Sequence, residues 1–319
     1  MTLVTAAPSS TASAAPPSTS RRPKAHRLAP YLFTTPAIVL YIVFTVIPVL
    51  YAIWLSVRAY RVPGGALGRK QEVFVGFENY VAVLQDDTYL AGFGRLFVYG
   101  IIAIPLTLGL ALLFALLLDA PAVRAKRFSR TAIFIPYAVP GVVAALLWGF
   151  MYLPSTSPFS YLTKALGWGP IPFLDETGIY PSLANVAIWG GVGFNMIIIY
   201  TSLRGIPAEI YESARLDGAT ETQIAWRIKI PLVAPALVLT GFFSLIGTVQ
   251  LYSEPATLRP MTSTISASWV PLMSIYRDAF GTDNLPQAAA ASTLLAVGTV
   301  LISALVLHLV NRRRNGAQS

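Results

Sequence analysis

The sequence lacks cysteine altogether and is poor in charged residues. Without cysteine there is no disulfide framework, no thiolate metal site and no cysteine nucleophile. Charged residues make up 12% of the 319 residues, whereas soluble globular domains carry roughly 25%. Hydrophobic residues account for 55%, and the mean hydropathy is +0.62. So few charges cannot cover a surface that faces water, and the composition is typical of an integral membrane protein.

Six long stretches contain no Asp, Glu, Lys or Arg. Each can cross a hydrocarbon layer of about 30 Å, because a membrane helix needs about 20 apolar residues. The pattern therefore predicts an all-α integral membrane fold with six transmembrane helices. The expected spans are 31–57, 96–118, 131–152, 182–203, 231–252 and 286–310.

The distribution of lysine and arginine predicts the orientation. With the N-terminus in the cytoplasm, the segments on the cytoplasmic side hold 15 of the 23 basic residues, and the opposite segments hold nine of the 14 acidic ones. This asymmetry places both termini in the cytoplasm. It also explains the net charge of +9 without a nucleic acid partner. The expected organisation is a disordered, basic tail over 1–27, a transmembrane domain over 28–311 and a cytoplasmic tail over 312–319.

The connection between the fourth and fifth spans, residues 206–231, has strong local signals. Pro207 suits a first helical position, and Gly218 suits the left-handed residue that ends a helix. Thr220 and Gln223 have the spacing of a capping box that starts another helix. Acidic and basic residues balance here, whereas a segment held on anionic lipid would be basic. The pattern predicts two short helices that dock onto a protein.

This connection resembles the "EAA" coupling loop of binding-protein-dependent ABC importer permeases. Glu212-Ser213-Ala214 matches the first part, Gly218 follows after three residues, and Ile228-Lys229-Ile230-Pro231 follows after nine more. Two further segments resemble those of the family: Gly76-Phe77-Glu78-Asn79-Tyr80, and Phe134-Ile135-Pro136 through Trp148. The sequence of this loop is similar to that of the carbohydrate-uptake branch of the family, which comprises the maltose- and glycerol-phosphate-like permeases. Two departures are Arg95, where an Asn is usual, and the missing Gly-Gly-Pro after the fifth span.

The resemblance implies the type I importer fold and a set of partners. These are a second, homologous permease subunit, two cytoplasmic ATPase subunits and an extracytoplasmic substrate-binding protein, assembled in the lipid of the cell membrane. No phosphate-binding G-x-x-x-x-G-K-[ST] sequence is present, so ATP and Mg are expected in the ATPase subunits and no cofactor in this chain. The residues implied to couple to the ATPase are Glu212, Ser213, Ala214, Asp217, Gly218, Ile228 and Pro231.

Polar and small residues within two spans are the candidates for binding a substrate. Gly191 and Asn195 lie four residues apart in the fourth span, and Ser244, Thr248 and Tyr252 follow the same spacing in the fifth. Neutral hydroxyl and amide groups suit a sugar, whose hydroxyls both donate and accept hydrogen bonds. The alternative is that these residues serve helix packing. The resulting hypothesis is a permease that imports a neutral sugar or oligosaccharide.

Two other classes of function compete with this hypothesis. A secondary, ion-coupled transporter usually needs ionisable groups within the membrane, and none lies at the centre of the six spans. A membrane enzyme would need a catalytic or metal-binding constellation, but His26 and His308 lack partners at suitable spacing. We therefore predict no catalytic residue and no metal site.

Overall fold

A computed structural model of the protein describes residues 25–62, 69 and 71–316. Most of the predicted tail over 1–27 and the last three residues of the tail over 312–319 lie outside the described residues. The chain forms two compact units, Met1–Tyr51 and Ala52–Ser319. In the first unit, helix α1 (Ala25–Tyr41) continues through a π-helical turn (Ile42–Val46) into the start of α2 (Ile47–Ser56).

The second unit is mainly helical. After α2 the described elements are, in order, β1 (Arg58–Arg61), β2 (Gln71–Phe74), α3 (Glu78–Gln85), α4 (Asp87–Asp119), α5 (Lys126–Phe134), α6 (Gly141–Tyr152), α7 (Pro158–Ala165), α8 (Ile179–Arg204), α9 (Ala208–Leu216), α10 (Glu221–Ile224), α11 (Ile230–Leu232), α12 (Ala234–Val249), α13 (Ser253–Leu258), α14 (Pro271–Tyr276) and α15 (Leu285–Gly316). Strands β1 and β2 pair antiparallel, with Arg58 opposite Phe74.

Four of the described helices are long and apolar enough to cross a membrane. They are Tyr31–Ser56, Asp87–Asp119, Ile179–Arg204 and Leu285–His308. Two further pairs are bent: Lys126–Ala138 with Gly141–Tyr152 by 97°, and Glu221–Leu232 with Ala234–Val249 by 65°. The number of spans is four, or up to six if each bent pair forms one span. The predicted spans over 131–152 and 231–252 therefore correspond to bent pairs of helices.

Proline explains both breaks. Pro140 disfavours the helical conformation in the residue before it, and Val139 is extended, with φ −79° and ψ 124°. The second break lies at Val233, with φ −90° and ψ 5°. Pro235, in the first turn of α12, has no N–H with which to continue a preceding helix. The prolines thus divide two apolar stretches that composition alone presents as continuous.

Helix α4 begins nine residues before the predicted start of its span. The Asp86 side chain accepts a hydrogen bond from the Thr88 backbone N–H at 2.8 Å, which caps the helix. Arg95 lies within α4, and its Nη1 donates to the carbonyl oxygen of Trp269 at 3.2 Å. Because Asp87 and Arg95 lie near the start of α4, the absence of charge marks only the part of the helix after them, and the predicted span began too late.

The packing of α4 against α8 forms the centre of the second unit. Small residues on α4, such as Ala111 and Ala115, are fully buried against Met196 and Ile199 of α8. Small side chains allow two membrane helices to approach closely. Val233, just before α12, joins the same apolar cluster. Helices α4, α8 and α12 are thus held together as the frame of the candidate site.

Candidate translocation cavity and coupling segment

A cavity of about 610 Å³ lies within this frame, and we call it the main cavity. Its walls come from α4, from α8, from α12 and from the break between α5 and α6. The break contributes Tyr137, Val139 and Gly141, so the bend at Pro140 shapes one wall. A continuous helix at this position would not place these residues together on the cavity.

Four of the five predicted substrate-binding residues line the main cavity: Gly191, Asn195, Ser244 and Thr248. The fifth, Tyr252, does not, and it lines a separate cavity of about 350 Å³ with Tyr276 and Phe280. The prediction assumed that the four-residue spacing of a helix reaches Tyr252. Helix α12 ends at Val249, and Tyr252 has φ −146° and ψ −53°, so the shared face is lost.

Two residues that line the main cavity each have a side-chain oxygen without a hydrogen-bond partner among the described residues. These oxygens are Oδ1 of Asn195 and Oγ of Ser244, and both are buried. The amide nitrogen of Asn195 already donates to the Gly191 carbonyl at 2.9 Å, which leaves its oxygen free to accept. Buried polar groups in native proteins are nearly always paired. A ligand with hydroxyl groups can donate to Asn195 and either donate to or accept from Ser244.

Aromatic rings follow one another along the same cavity. The rings of Tyr137 and Phe194 stack with centroids 4.8 Å apart, and Phe194 meets Phe243 edge to face at 5.8 Å. All three residues line the main cavity. Sequence reasoning did not identify them, because it considered polar and small residues of the spans and not aromatic ones. Aromatic faces and a few fixed polar groups are common features of small-molecule sites.

The charge in the main cavity is negative. Among its lining residues Glu254 is the only carboxylate, and none is Lys or Arg. Its Oε1 lies 3.1 Å from where a Cβ on Gly141 would be, so the missing side chain of Gly141 leaves room for the carboxylate. Glu254 precedes a proline in α13 and closely follows the predicted substrate-binding residues of the fifth span along the chain.

Residues 206–231, which we call the coupling segment, form two short helices joined by a tight turn. Gly218 has φ +81°, and the amides of Gly218 and Ala219 donate to the carbonyls of Arg215 and Ala214 at 3.0 and 2.9 Å. This arrangement is a Schellman motif. The predicted left-handed conformation at Gly218 is confirmed. Pro207 is the N-cap of α9 and not its first helical residue, so its predicted position is wrong by one.

The second helix of the coupling segment starts as predicted. Thr220 and Gln223 form a capping box, with the side chain of each bonded to the backbone N–H of the other. Nε of Arg215 donates to Oε1 of Glu221 at 2.7 Å and so connects α9 to α10. This hydrogen bond raises the pKa of Arg215 above its usual value. Local bonds alone therefore fix the shape of the turn around Gly218.

The predicted coupling residues mostly face outward. Glu212, Ser213, Asp217, Gly218 and Pro231 are exposed, Ile228 is half-buried, and Ala214 is buried. Leu216, which the sequence reasoning did not single out, has 90% of its surface exposed. An apolar side chain exposed to this degree beside a tight turn is available to a partner protein.

Within the described part of the chain, no three His, Asp or Glu side chains come together in a way that could hold a metal ion.

Residues 108–315 match the family described as binding-protein-dependent transport system inner membrane component. The chain belongs to this family. The resemblance to ABC importer permeases, noted from the coupling segment, is confirmed, and the chain is a multi-pass membrane protein with the type I importer fold.

Relatives and solved structures agree with this membership. The permease is 30% identical over 291 residues to the sn-glycerol-3-phosphate transport system permease protein UgpA of Agrobacterium fabrum, covering 90% of this chain and 96% of the relative. It is 28% identical to the probable ABC transporter permease protein YurN of Bacillus subtilis, covering 87% and 94%. A chain of the bacterial alginate ABC transporter, solved in complex with alginate pentasaccharide-bound periplasmic protein, shares the fold with a TM-score of 0.78 at 20% identity, covering 91% and 96%.

Proposed function

We propose that this permease subunit moves a neutral sugar or oligosaccharide from an extracytoplasmic binding protein into the cytoplasm, driven by ATP. The observation that carries the proposal is the main cavity, where the buried oxygens of Asn195 and Ser244 lack partners beside a row of aromatic rings. Sugar hydroxyls satisfy such oxygens, and sugar rings present apolar faces to aromatic side chains. No other described cavity of the chain combines these features.

An anionic solute is the rival, because UgpA is named for sn-glycerol-3-phosphate. Phosphate recognition generally relies on Arg or Lys, often through paired hydrogen bonds. The residues that line the main cavity include neither, and Glu254 adds a negative charge. Two like charges in a poorly solvated cavity repel each other strongly. The charge of the cavity therefore supports a neutral substrate over a phosphorylated one.

The proposed topology has six spans, with each bent pair counted as one and both termini in the cytoplasm. Residues 28–311 then form the transmembrane domain, and 1–27 and 312–319 are cytoplasmic tails. The partners are a homologous permease subunit, two ATPase subunits that bind ATP and Mg, and the binding protein. A tag after Ser319 should be inaccessible to an impermeant reagent in intact cells, and labelling there would contradict the topology.

The coupling segment is proposed to dock onto an ATPase subunit. Its exposed turn, with Glu212, Asp217 and Gly218, presents backbone and carboxylate groups around a fixed left-handed residue. Leu216 adds an apolar contact at the same place. Cross-linking through a cysteine placed at Ser213 tests this directly, since the chain has no cysteine of its own. Failure to cross-link to an ATPase subunit in the assembled importer would contradict the docking.

Uptake of labelled solutes into proteoliposomes tests the substrate. The complete complex with ATP should import a neutral sugar in preference to glycerol 3-phosphate or amino acids. Asn195→Leu and Thr248→Leu should reduce uptake while basal ATP hydrolysis continues. Thr299→Leu is the matched control, because the Thr299 hydroxyl bonds within its own helix to Leu295 and does not line the main cavity.

Two results would overturn the proposal. Import of an anionic solute with no import of sugar would refute the neutral substrate. Sugar uptake that continues without ATP and stops when an ionophore removes the ion gradient would favour the ion-coupled alternative.

A further inference from the structure

Two opposite charges are buried together, one of them within the coupling segment. Nζ of Lys229 lies 2.6 Å from Oδ2 of Asp119, and each side chain has 6% of its surface exposed. We call these two residues the buried pair. The other described ion pairs are more open, and Arg61 with Glu78 is about 60% exposed on both sides. Lys and Asp are rarely buried unless they are paired, so the contact is a specific one.

The buried pair joins elements that are distant along the chain. Asp119 is the last residue of α4, and Lys229 ends the π-helical turn between α10 and α11. The two residues are 110 positions apart. Short π-helical turns of this kind often occur at functional sites. The pair therefore connects the coupling segment to a helix that has no direct chain connection to it.

A third residue connects the pair to helix α9. Nζ of Lys229 lies 4.9 Å from the centre of the Tyr211 ring, which is within the range of a cation–π contact. Tyr211 directly precedes Glu212, the first residue of the coupling motif. The Tyr211 hydroxyl is buried and has no hydrogen-bond partner. The ring, and not the hydroxyl, therefore makes the useful contact with Lys229.

Three helices that surround the main cavity are connected to the coupling segment in different ways. Helix α8 ends at Arg204, just before the segment, and α12 begins at Ala234, just after it. Helix α4, which contributes Tyr99, Ala103 and Thr107 to the cavity wall, meets the segment at the buried pair. Apolar packing of Leu118 with Val233 lies close by, but such packing is not directional.

We propose that Lys229 and Asp119 are positioning residues that transmit movement of the coupling segment to α4. When an ATPase subunit displaces the segment, the buried pair makes α4 move with α8 and α12, so three walls of the main cavity change together. A buried pair suits this role because separating its charges leaves each one unpaired in a poorly solvated site. The inference rests on the proposed coupling of this permease to an ATPase.

Replacing both charges at once tests the proposal without leaving a lone charge. The double variant Asp119→Leu/Lys229→Met keeps the site apolar, and such replacements of buried pairs often preserve folding. We expect normal assembly with the partner subunits and continued ATP hydrolysis. The number of sugar molecules imported per ATP should fall about fivefold or more, the size of a typical coupling between sites. Glu78→Gln, which breaks an exposed pair, is the control.

Two conservative variants separate transmission from general damage. Lys229→Arg keeps the charge and the contact with the ring and should retain the ratio of import to ATP hydrolysis. Tyr211→Phe keeps the ring and removes the unpaired hydroxyl, whereas Tyr211→Leu removes the ring and should lower the ratio. If Lys229→Arg lowered the ratio of import to ATP hydrolysis as much as the double variant does, pairing of the two charges would not be what transmits the movement. That result would overturn the proposal.

The double variant itself has two refuting outcomes. A wild-type ratio of import to ATP hydrolysis would show that the buried pair transmits nothing. Failure of the double variant to assemble would assign the pair to folding alone. The wild-type complex separates these outcomes from a failure of the proposed function. If the wild-type importer moves no sugar with ATP, the proposed function is wrong, whereas a wild-type importer that works leaves the test of the buried pair valid.

Discussion

The close contact between Gly193 and α5 provides a test of how α8 packs against the third predicted span, residues 131–152. A Cβ added at this glycine would lie 2.3 Å from the carbonyl oxygen of Ile133 and 2.7 Å from Cα of Phe134. Both obstacles are backbone atoms of α5, so no side chain can rotate away. A carbon and a carbonyl oxygen normally approach to about 3.3 Å, and Gly193→Ala therefore forces a backbone shift of about 1 Å.

The free energy follows from two opposing effects. Overpacking a buried site costs about 1–3 kcal/mol, and a backbone obstacle places this variant at the upper end. Alanine in a helix regains about 1 kcal/mol relative to glycine. The net expectation for Gly193→Ala is a loss of about 2 kcal/mol. Gly190→Ala, three residues earlier in α8, meets no atom within 4 Å and should be neutral or stabilising.

Thermal unfolding of the purified permease in detergent compares the two variants. Gly193→Ala should unfold at a clearly lower temperature than the wild type, and Gly190→Ala at the same temperature or a higher one. The close approach of α8 to α5 also positions Phe194 and Asn195 on the main cavity, so sugar uptake by Gly193→Ala should fall as well. Equal stability of the two variants would refute the packing of α8 against Ile133.

Three further predictions concern the coupling segment, the cavity charge and a capped turn. Gly218→Val places a β-branched residue at φ +81°, which should cost about 1–2 kcal/mol locally and abolish ATP-driven uptake. Asparagine tolerates this conformation, so Gly218→Asn should retain more of the uptake. Equal uptake by both variants would contradict the role of the turn. Glu254→Gln should strengthen inhibition of sugar uptake by a sugar phosphate, and unchanged inhibition would show that Glu254 does not exclude anions. The pKa of Asp175 lies below its usual 3.8, because its carboxylate accepts hydrogen bonds from the backbone of Gly178 and from Thr177. Protection of the Gly178 amide from hydrogen exchange, relative to an unstructured peptide at the same pH, should therefore be complete above pH 3.8 and decrease as the pH falls through the lower folded value. Asp175→Asn should remove this pH dependence, and the same dependence in that variant would contradict the role of the carboxylate.

Local features of the coupling segment could be predicted from sequence. The left-handed Gly218 and the capping box of Thr220 and Gln223 depend on bonds between residues at most five positions apart, so spacing alone determines them. The position of Pro207 was wrong by one residue, which is the usual uncertainty at a helix end. The helical stretches were also visible, because charged side chains are costly in hydrocarbon.

Part of the cavity could be predicted in the same way. Gly191 with Asn195, and Ser244 with Thr248, share a helix face by spacing, and the structure brings both pairs to the main cavity. Tyr252 does not share this face, because α12 ends at Val249. Tyr137, in the segment between α5 and α6, also lines the cavity and was missed, because the search was for polar and small residues within the fourth and fifth spans.

The sequence by itself determined what depends on neighbours along the chain: the apolar stretches, the turn at Gly218 and the family motif. Only the tertiary structure decided which residues enclose the main cavity, and that Lys229 meets Asp119 110 positions away. The physical reason is that periodicity and capping report on contacts within about one helical turn. Contacts between distant helices depend on how whole helix faces pack, and neither charge in the buried pair has a local partner that would mark it in advance.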